Sequence, residues 1–263
     1  MTETISGLRW FFRVSAVLAA IAGIQLVIGA SETDRFFSWT IEPPLTAAFM
    51  GAAYWAACVL LTWAARQRTW ARARVALPPV LTIAVLLLVA TLIHLERFHH
   101  DLYGRFWVAV YVIVPPLLAY LIWAQTRGPR TAAVSESPLS GWLRLVLAVQ
   151  GTALLAFGAL LFIDPASFDS IWLWPVTPLT GRAIGAFICG FGVAAWFAIR
   201  ANDLISLGGP ALAWGALGGL ELLAVALQGG DLTASGLATA AYLAFFASVL
   251  VVGAYGALAA RRA

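Results

Sequence analysis

Pro43-Pro44-Leu45-Thr46-Ala47-Ala48-Phe49-Met50-Gly51-Ala52 returns at an offset of 134 (177 − 43) as Thr177-Pro178-Leu179-Thr180-Gly181-Arg182-Ala183-Ile184-Gly185-Ala186. Between positions 43 and 66 the two copies agree, without a gap, at Pro44, Leu45, Thr46, Gly51, Ala52, Val59, Ala64 and Arg66. Average residue usage would give roughly two or three agreements over such a window. The period is far too long for a solenoid, so the spacing predicts one membrane unit duplicated in tandem.

The chain around this stretch has 263 residues, 62% of them hydrophobic and only 11% charged, with a mean hydropathy of +0.90. A soluble domain carries about 25% charged residues, so this surface cannot face water all round. Apolar runs of about 20 residues match a hydrocarbon core of roughly 30 Å. Eight are legible, near 9–30, 46–65, 76–95, 106–125, 143–163, 181–200, 207–227 and 237–259. Lipid offers no partner to an open strand edge, so each run is expected to be helical. The expected fold is an all-α integral membrane protein of two tandem four-helix repeats.

Four helices per unit is an even number, so both units enter the membrane in one orientation and the repeats are parallel. Arg66, Arg68, Arg72 and Arg74 follow the second run, Arg127 and Arg130 the fourth, and Arg261 and Arg262 the eighth. The other connections carry acids: Glu32, Asp34 and Glu42, then Asp164 and Asp169, then Asp231. The positive-inside rule places the Arg-rich connections and both termini in the cytoplasm, and reads the pI of about 9.5 as topology rather than nucleic-acid binding. Arg without Lys, together with abundant Ala, points to a bacterial inner membrane. The absence of Lys excludes a retinal-type Schiff base and a lysine nucleophile. The first run is longer than a signal-peptide core and has Ile28 where a small residue is wanted, so it is expected to be retained.

The organisation follows. Residues 1–125 form the first repeat, 126–141 a cytoplasmic linker with Gly128-Pro129 and Ser135-Glu136-Ser137-Pro138, and 142–263 the second repeat. The loops before the paired stretch are aromatic and Pro-rich: Phe36-Phe37-Ser38-Trp39-Thr40-Ile41-Glu42 in one, Ile171-Trp172-Leu173-Trp174-Pro175-Val176-Thr177 in the other. They are expected along the outer interface, as anchors or as a lid over an outward cavity, with Thr46 and Thr180 capping the following helices. Gly181, Gly185, Gly215 and Gly219, four apart, are expected to let helices approach inside the bundle. Pro78-Pro79 and Pro115-Pro116 are expected to bend or break their helices. Cys58 and Cys189, 131 apart, are not repeat equivalents and read as small packing residues.

Two groups carry possible chemistry. Glu221 is the one acid deep in an apolar run, seven residues from Gln228 and so roughly 10 Å below it. A charge there costs several kcal/mol unless paired or protonated. Its counterpart is Leu87, and that of Arg182 is Ala48, so both polar exceptions belong to the second repeat and a pairing between them is expected. Glu221 then serves either as a structural bond or as a substrate or proton site. The second group is His94, Glu96, His99, His100 and Asp101, which holds all three histidines. On a continuous helix Glu96 and His100 would share a face as two metal ligands do, although no His pair sits four apart. The alternative is a solvated rim. Haem between helices needs facing histidines on two spans, and no phosphate loop, dinucleotide fingerprint or serine elbow is present.

The leading functional expectation is a non-enzymatic protein that binds or moves a small or lipid-like molecule. Its site would be an outward pocket between the repeats, using Glu221, Arg182, Trp172, Trp174, Trp39 and Glu42. The alternatives are an accessory subunit packed against a membrane partner and an outer-face metal-dependent enzyme using the His94–Asp101 group. No cofactor and no nucleic-acid partner are expected. ATP-driven work would need a partner to supply it.

Overall fold

The computed structural model of the chain describes residues 3–127, 137–168, 172–234 and 236–263. Gly128, Pro129, Arg130, Ser135, Glu136, Asp169 and Ile171, and with them most of the linker expected over 126–141, lie outside the described residues. Eight helices among the described residues are long and apolar enough to cross a bilayer. We number them α1 (Ser6–Ile28), α2 (Pro44–Ala65), α3 (Leu77–Ile93), α4 (Leu102–Thr126), α5 (Gly141–Ile163), α6 (Pro178–Ala201), α7 (Leu204–Gln228) and α8 (Gly236–Arg262). A helical turn, Trp70–Ala73, and a 3-10 turn, Arg74–Ala76, lead into α3 and lengthen its span. The chain is a multipass membrane protein whose apolar side chains cover both a core and a lipid-facing skin. Ile28, Leu102, Ile163 and Leu237 are among the large apolar residues left open on that skin.

Packing crosses between the two halves of the chain. α1 lies on α2 and α5 on α6, while α2 also packs on α7 and α6 on α3. These exchanges make α2 and α6 the most buried helices. The outer pairs differ, since α8 runs close along α7 whereas α4 meets α3 more loosely. Glycine sets the tight pair. A Cβ at Gly218 would lie 2.5 Å from Leu250 N, and one at Gly253 would lie 2.2 Å from Gly215 N. Gly185 faces the α5 backbone in the same manner, 2.8 Å from Gly158 O and 2.9 Å from Phe162 N, whereas Gly181 meets the side chains of Pro165 and Leu161.

Neither proline pair breaks its helix. Pro78 and Pro79 sit in the first turn of α3, where an N–H has no helical partner to lose. Pro115 and Pro116 lie inside α4, which continues through them to Thr126. The helices after the aromatic loops also begin earlier than expected, by two residues at Pro44 and three at Pro178, because proline at the first helical position pre-sets the backbone. Thr46 and Thr180 are therefore third-position residues rather than caps. In α6 the cap is Thr177, whose side chain accepts from Thr180 N. The equivalent position in the first half is Pro43, which cannot do this, and α2 has no side-chain cap of its own.

Loops group the helix ends into two faces. Thr4 N donates to Arg68 O at 2.8 Å and Leu204 N to Ser137 O at 2.7 Å, while Ile5 N donates to Gln125 Oε1 at 2.8 Å. These bonds put the chain start with the α2–α3, α4–α5 and α6–α7 connections at an Arg-rich end. The C-terminus is there too, since Gly208 at the start of α7 faces Ala260. The aromatic loops form the opposite, loop end.

Candidate functional site

At the loop end the aromatic segments fold inward rather than along a headgroup layer. Phe37, Trp39 and Ile41 are buried, as are Leu173 and Trp174. Trp39 stacks edge-on with Trp107 at 4.8 Å and with Phe98 at 5.4 Å. Trp174 meets Tyr242 at 6.0 Å and Phe49 at 6.2 Å. Each aromatic loop is stitched to the next connection of its own half. His99 N donates to Ser38 O at 2.9 Å, and Thr233 N donates to Leu173 O at 2.9 Å. The expected interfacial anchors are thus two aromatic plugs, because burial of whole indole rings outweighs their preference for the headgroup zone.

A cleft of about 760 Å³ opens between the plugs. One wall comes from Ala30–Asp34 and Thr40–Pro44, and the other from Pro175–Thr177 and Gly230–Thr233. Three carboxylates line it, those of Asp34, Glu42 and Asp231, and no basic side chain among the described residues does. An adjoining recess of about 390 Å³ shares Thr40, Glu42 and Thr177 and adds Trp39, His94 and Arg97. Asp231 supplies what Pro43 cannot. Its Oδ2 accepts from Leu45 N at 2.9 Å, so a carboxylate from the α7–α8 connection caps α2 across the halves. Trp39 Nε1 donates to Thr180 Oγ1 at 3.1 Å, crossing the other way.

Arg182 does not reach Glu221. Its guanidinium donates to His94 Nε2 at 2.9 Å, and contacts the Pro178 carbonyl at 3.4 Å. Accepting from Arg182 requires Nε2 to be unprotonated, which leaves the His94 proton on Nδ1, 3.9 Å from Glu96. Burial and the facing Arg182 guanidinium push the imidazole below its ordinary value; Glu96 opposes this and Arg97 adds to it.

Glu221 is fully buried at 0% exposure. Its Oε2 accepts from the Tyr242 hydroxyl at 3.1 Å, and Oε1 has no partner among the described residues. The expected ion pair gives way to a carboxyl–phenol bond because Tyr242 on α8 is brought up by the glycine-lined approach of α7. Trp172 is half-buried beside Trp174, 5.1 Å between rings, and neither lines the cleft.

The histidine group also disperses. α3 ends at Ile93, so no helix carries Glu96 and His100 on one face. Asp101 Oδ1 accepts from Gly104 N at 2.9 Å and caps α4. His99 Nδ1 donates to Phe37 O at 3.1 Å, which leaves Nε2 to accept from Thr40 at 3.4 Å. No three His, Cys, Asp or Glu residues among the described ones converge as metal ligands.

Of the residues singled out in the sequence, Glu42, Trp39 and His94 therefore line the loop-end cavities, and Arg182 is bonded to His94 without lining either. The sequence did not single out Asp34, Asp231 or Tyr242 as site residues. The first two were visible only as acids of odd-numbered exits, and a lone tyrosine in an apolar run carries no signal of what it meets. Comparison with protein-family models, with curated proteins and with solved structures finds no match for this chain.

Proposed function

We propose that the chain is a pair of tandem parallel four-helix repeats, 1–125 and 142–263 around a cytoplasmic linker at 126–141, seated in a bacterial inner membrane with both termini inside. The loop-end cleft would then face outward, binding a small, positively charged organic molecule from the aqueous phase as the receiving step of transport or sensing. The observation that carries this is the cleft itself. Both halves build it, three carboxylates and no cation line it, and its volume lies within the ~300–1,000 Å³ usual for small-molecule sites. Carboxylates gathered on a concave wall concentrate cations, and salt weakens that effect.

The repeat arrangement is supported by exchanged packing, α2 on α7 and α3 on α6, which a two-fold relation between the halves requires. Corresponding segments are also joined in both halves, though with donor and acceptor exchanged: Thr4 N donates to Arg68 O, and Leu204 N to Ser137 O at the end of the linker. The orientation rests on the concentration of arginine at one end.

Choline and its uncharged isostere 3,3-dimethylbutanol test the site. In thermal-shift titrations of the purified chain, choline is expected to stabilise at low salt and the isostere not. Glu42→Gln and Asp34→Asn should each weaken the choline effect. Equal responses to both compounds, or no response to either, would overturn the cationic site. Cysteine labelling from outside cells, at position 34 but not position 68, checks the orientation.

A further inference from the structure

The first half contains an intramembrane recess of about 130 Å³, against about 20 Å³ in the corresponding place among the described residues of the second. Between α1, α2, α3 and α4, with α6 of the other half as its floor, Ala19, Ala84, Val110 and the α6 residue Phe187 help to line this free space at about mid-depth. Its mouth is lateral. Phe106 stands 54% exposed on α4, and α1 and α4 touch only along a short stretch, with Gly7 against Leu121 towards the Arg-rich end.

The second half shows how the same space is closed. Val80, Val114 and Ala16 have Trp214, Ser248 and Gln150 as counterparts at the repeat offset. Those three side chains bond one another: Trp214 Nε1 donates to Gln150 Oε1 at 3.1 Å, and Gln150 Nε2 to Ser248 Oγ at 2.9 Å. In the first half Val80, which lines the recess, is far smaller than its tryptophan counterpart, and the side chains of Val114 and Ala16 cannot make such hydrogen bonds.

The recess is apolar apart from hydroxyls. Tyr54 and Tyr111, each at least nine-tenths buried, meet hydroxyl to hydroxyl at 2.9 Å on its wall. Two hydroxyls own two protons and their mutual bond uses one, so one donor proton has no acceptor among the described residues. Trp107 on the same wall is different, since its Nε1 already donates to Thr91 Oγ1 at 3.1 Å. Ser15, half-buried on α1, is the remaining hydroxyl of the lining. An apolar cavity of ~150 Å³ suffices for a benzene-sized group.

We propose that this recess binds a lipophilic molecule whose ring-sized head carries a carbonyl, entering from the lipid between α1 and α4 and accepting the spare hydroxyl proton of the Tyr54–Tyr111 pair. A long apolar tail would remain in the opening beside Phe106. The site is separate from the loop-end cleft and stands whether or not that cleft binds cations.

The test uses the full chain in lipid nanodiscs and two photoreactive probes, a 4-decylcyclohexanone with a diazirine on its chain and the decylcyclohexane that differs only in lacking the carbonyl. The ketone is expected to label α1 or α4 residues of the recess in roughly fivefold greater yield, the worth of one net hydrogen bond. In the Tyr54→Phe/Tyr111→Phe variant its yield should fall to that of the hydrocarbon. Val80→Trp, which installs the second half's residue, should abolish labelling by both. Competition by unlabelled methyl undecanoate as well as by cyclohexanone assigns the carbonyl to an acyl lipid, and competition by the ketone alone assigns it to a ring ketone. Equal labelling of wild-type protein by ketone and hydrocarbon overturns the proposal, as does labelling confined to residues outside the recess, and neither result depends on a variant folding.

Discussion

Gly253→Ala and Gly215→Ala add one methyl each to the same helix pair, and the structure assigns them opposite outcomes. A Cβ at position 253 would lie 2.2 Å from Gly215 N, 2.6 Å from Gly215 Cα and 2.8 Å from Ala211 O. Ordinary contact begins near 3.4 Å, and every atom met is backbone. No rotamer relieves the overlap, so α8 must move off α7 by about 1 Å, the scale on which packed helices lose their contacts. Phe246, Val249 and Val252, all buried on α8, would then lose contact with their neighbours. A gap of about 0.5–1 Å forfeits a quarter to a half of the dispersion well, and overpacking of this kind costs about 1–3 kcal/mol. At position 215 the new Cβ would stand 3.6 Å from its nearest neighbours, Ala254 N and Gly253 C, within ordinary contact. There the alanine gains helix propensity, worth at most about 1 kcal/mol. Unfolding in mixed micelles, followed by fluorescence and referenced to wild type, should show Gly253→Ala destabilised by about 2–3 kcal/mol and Gly215→Ala unchanged or slightly stabilised. Equal stabilities for the two variants would refute the claim that backbone contact at Gly253 sets the α7–α8 distance.

Tyr242→Phe should destabilise by about 1–3 kcal/mol, because it strips the buried Glu221 of its only hydrogen bond among the described residues. Glu221→Gln should stay within about 1 kcal/mol of wild type, since an amide oxygen still accepts from Tyr242, and chemical denaturation distinguishes the two. Asp231→Ala should weaken α2 by about 0.5–2 kcal/mol through loss of the acceptor at Leu45 N, read by hydrogen exchange at the start of α2. His94 is held below its ordinary value of 6.5, so the unfolded chain takes up its proton first as acid is added. Its contribution is therefore complete above pH 6.5 and declines as pH falls from there towards the folded value. His94→Gln, whose amide oxygen can still accept from Arg182, should flatten that slope in a pH series of melting curves.

The span count was legible because apolar runs of about 20 residues have one structural outcome in lipid, and α4 and α5 were placed within a few residues. The starts of α2 and α6 at Pro44 and Pro178 were misjudged because Thr46 and Thr180 look like caps, whereas proline at the first helical position moves the boundary back. Arg182 and Glu221 stand out in the sequence as polar residues in apolar surroundings, but their partners cannot be read from spacing. Arg182 meets His94 on another helix end and Glu221 meets Tyr242 on α8, and both contacts depend on how closely helices approach. The histidine group looked like a ligand set only while α3 was taken to continue past Ile93. Among the cleft carboxylates, Glu42 was visible beside an aromatic loop. Asp231 was not, because its role is created by Pro43, 188 positions away (231 − 43), which cannot cap α2.

The exchange of α2 and α6 between halves has a consequence for how the protein is made. Ribosomes deliver helices in order, and α2 leaves the translocon five segments before α7, the neighbour that covers its far side. Until then one of the two most enclosed helices of the finished protein has lipid, or an insertase, against a flank shaped for protein. Severing the polypeptide near residue 132 would therefore yield two fragments that are each incomplete. Both would have to be synthesised in the same cell for either to escape quality control.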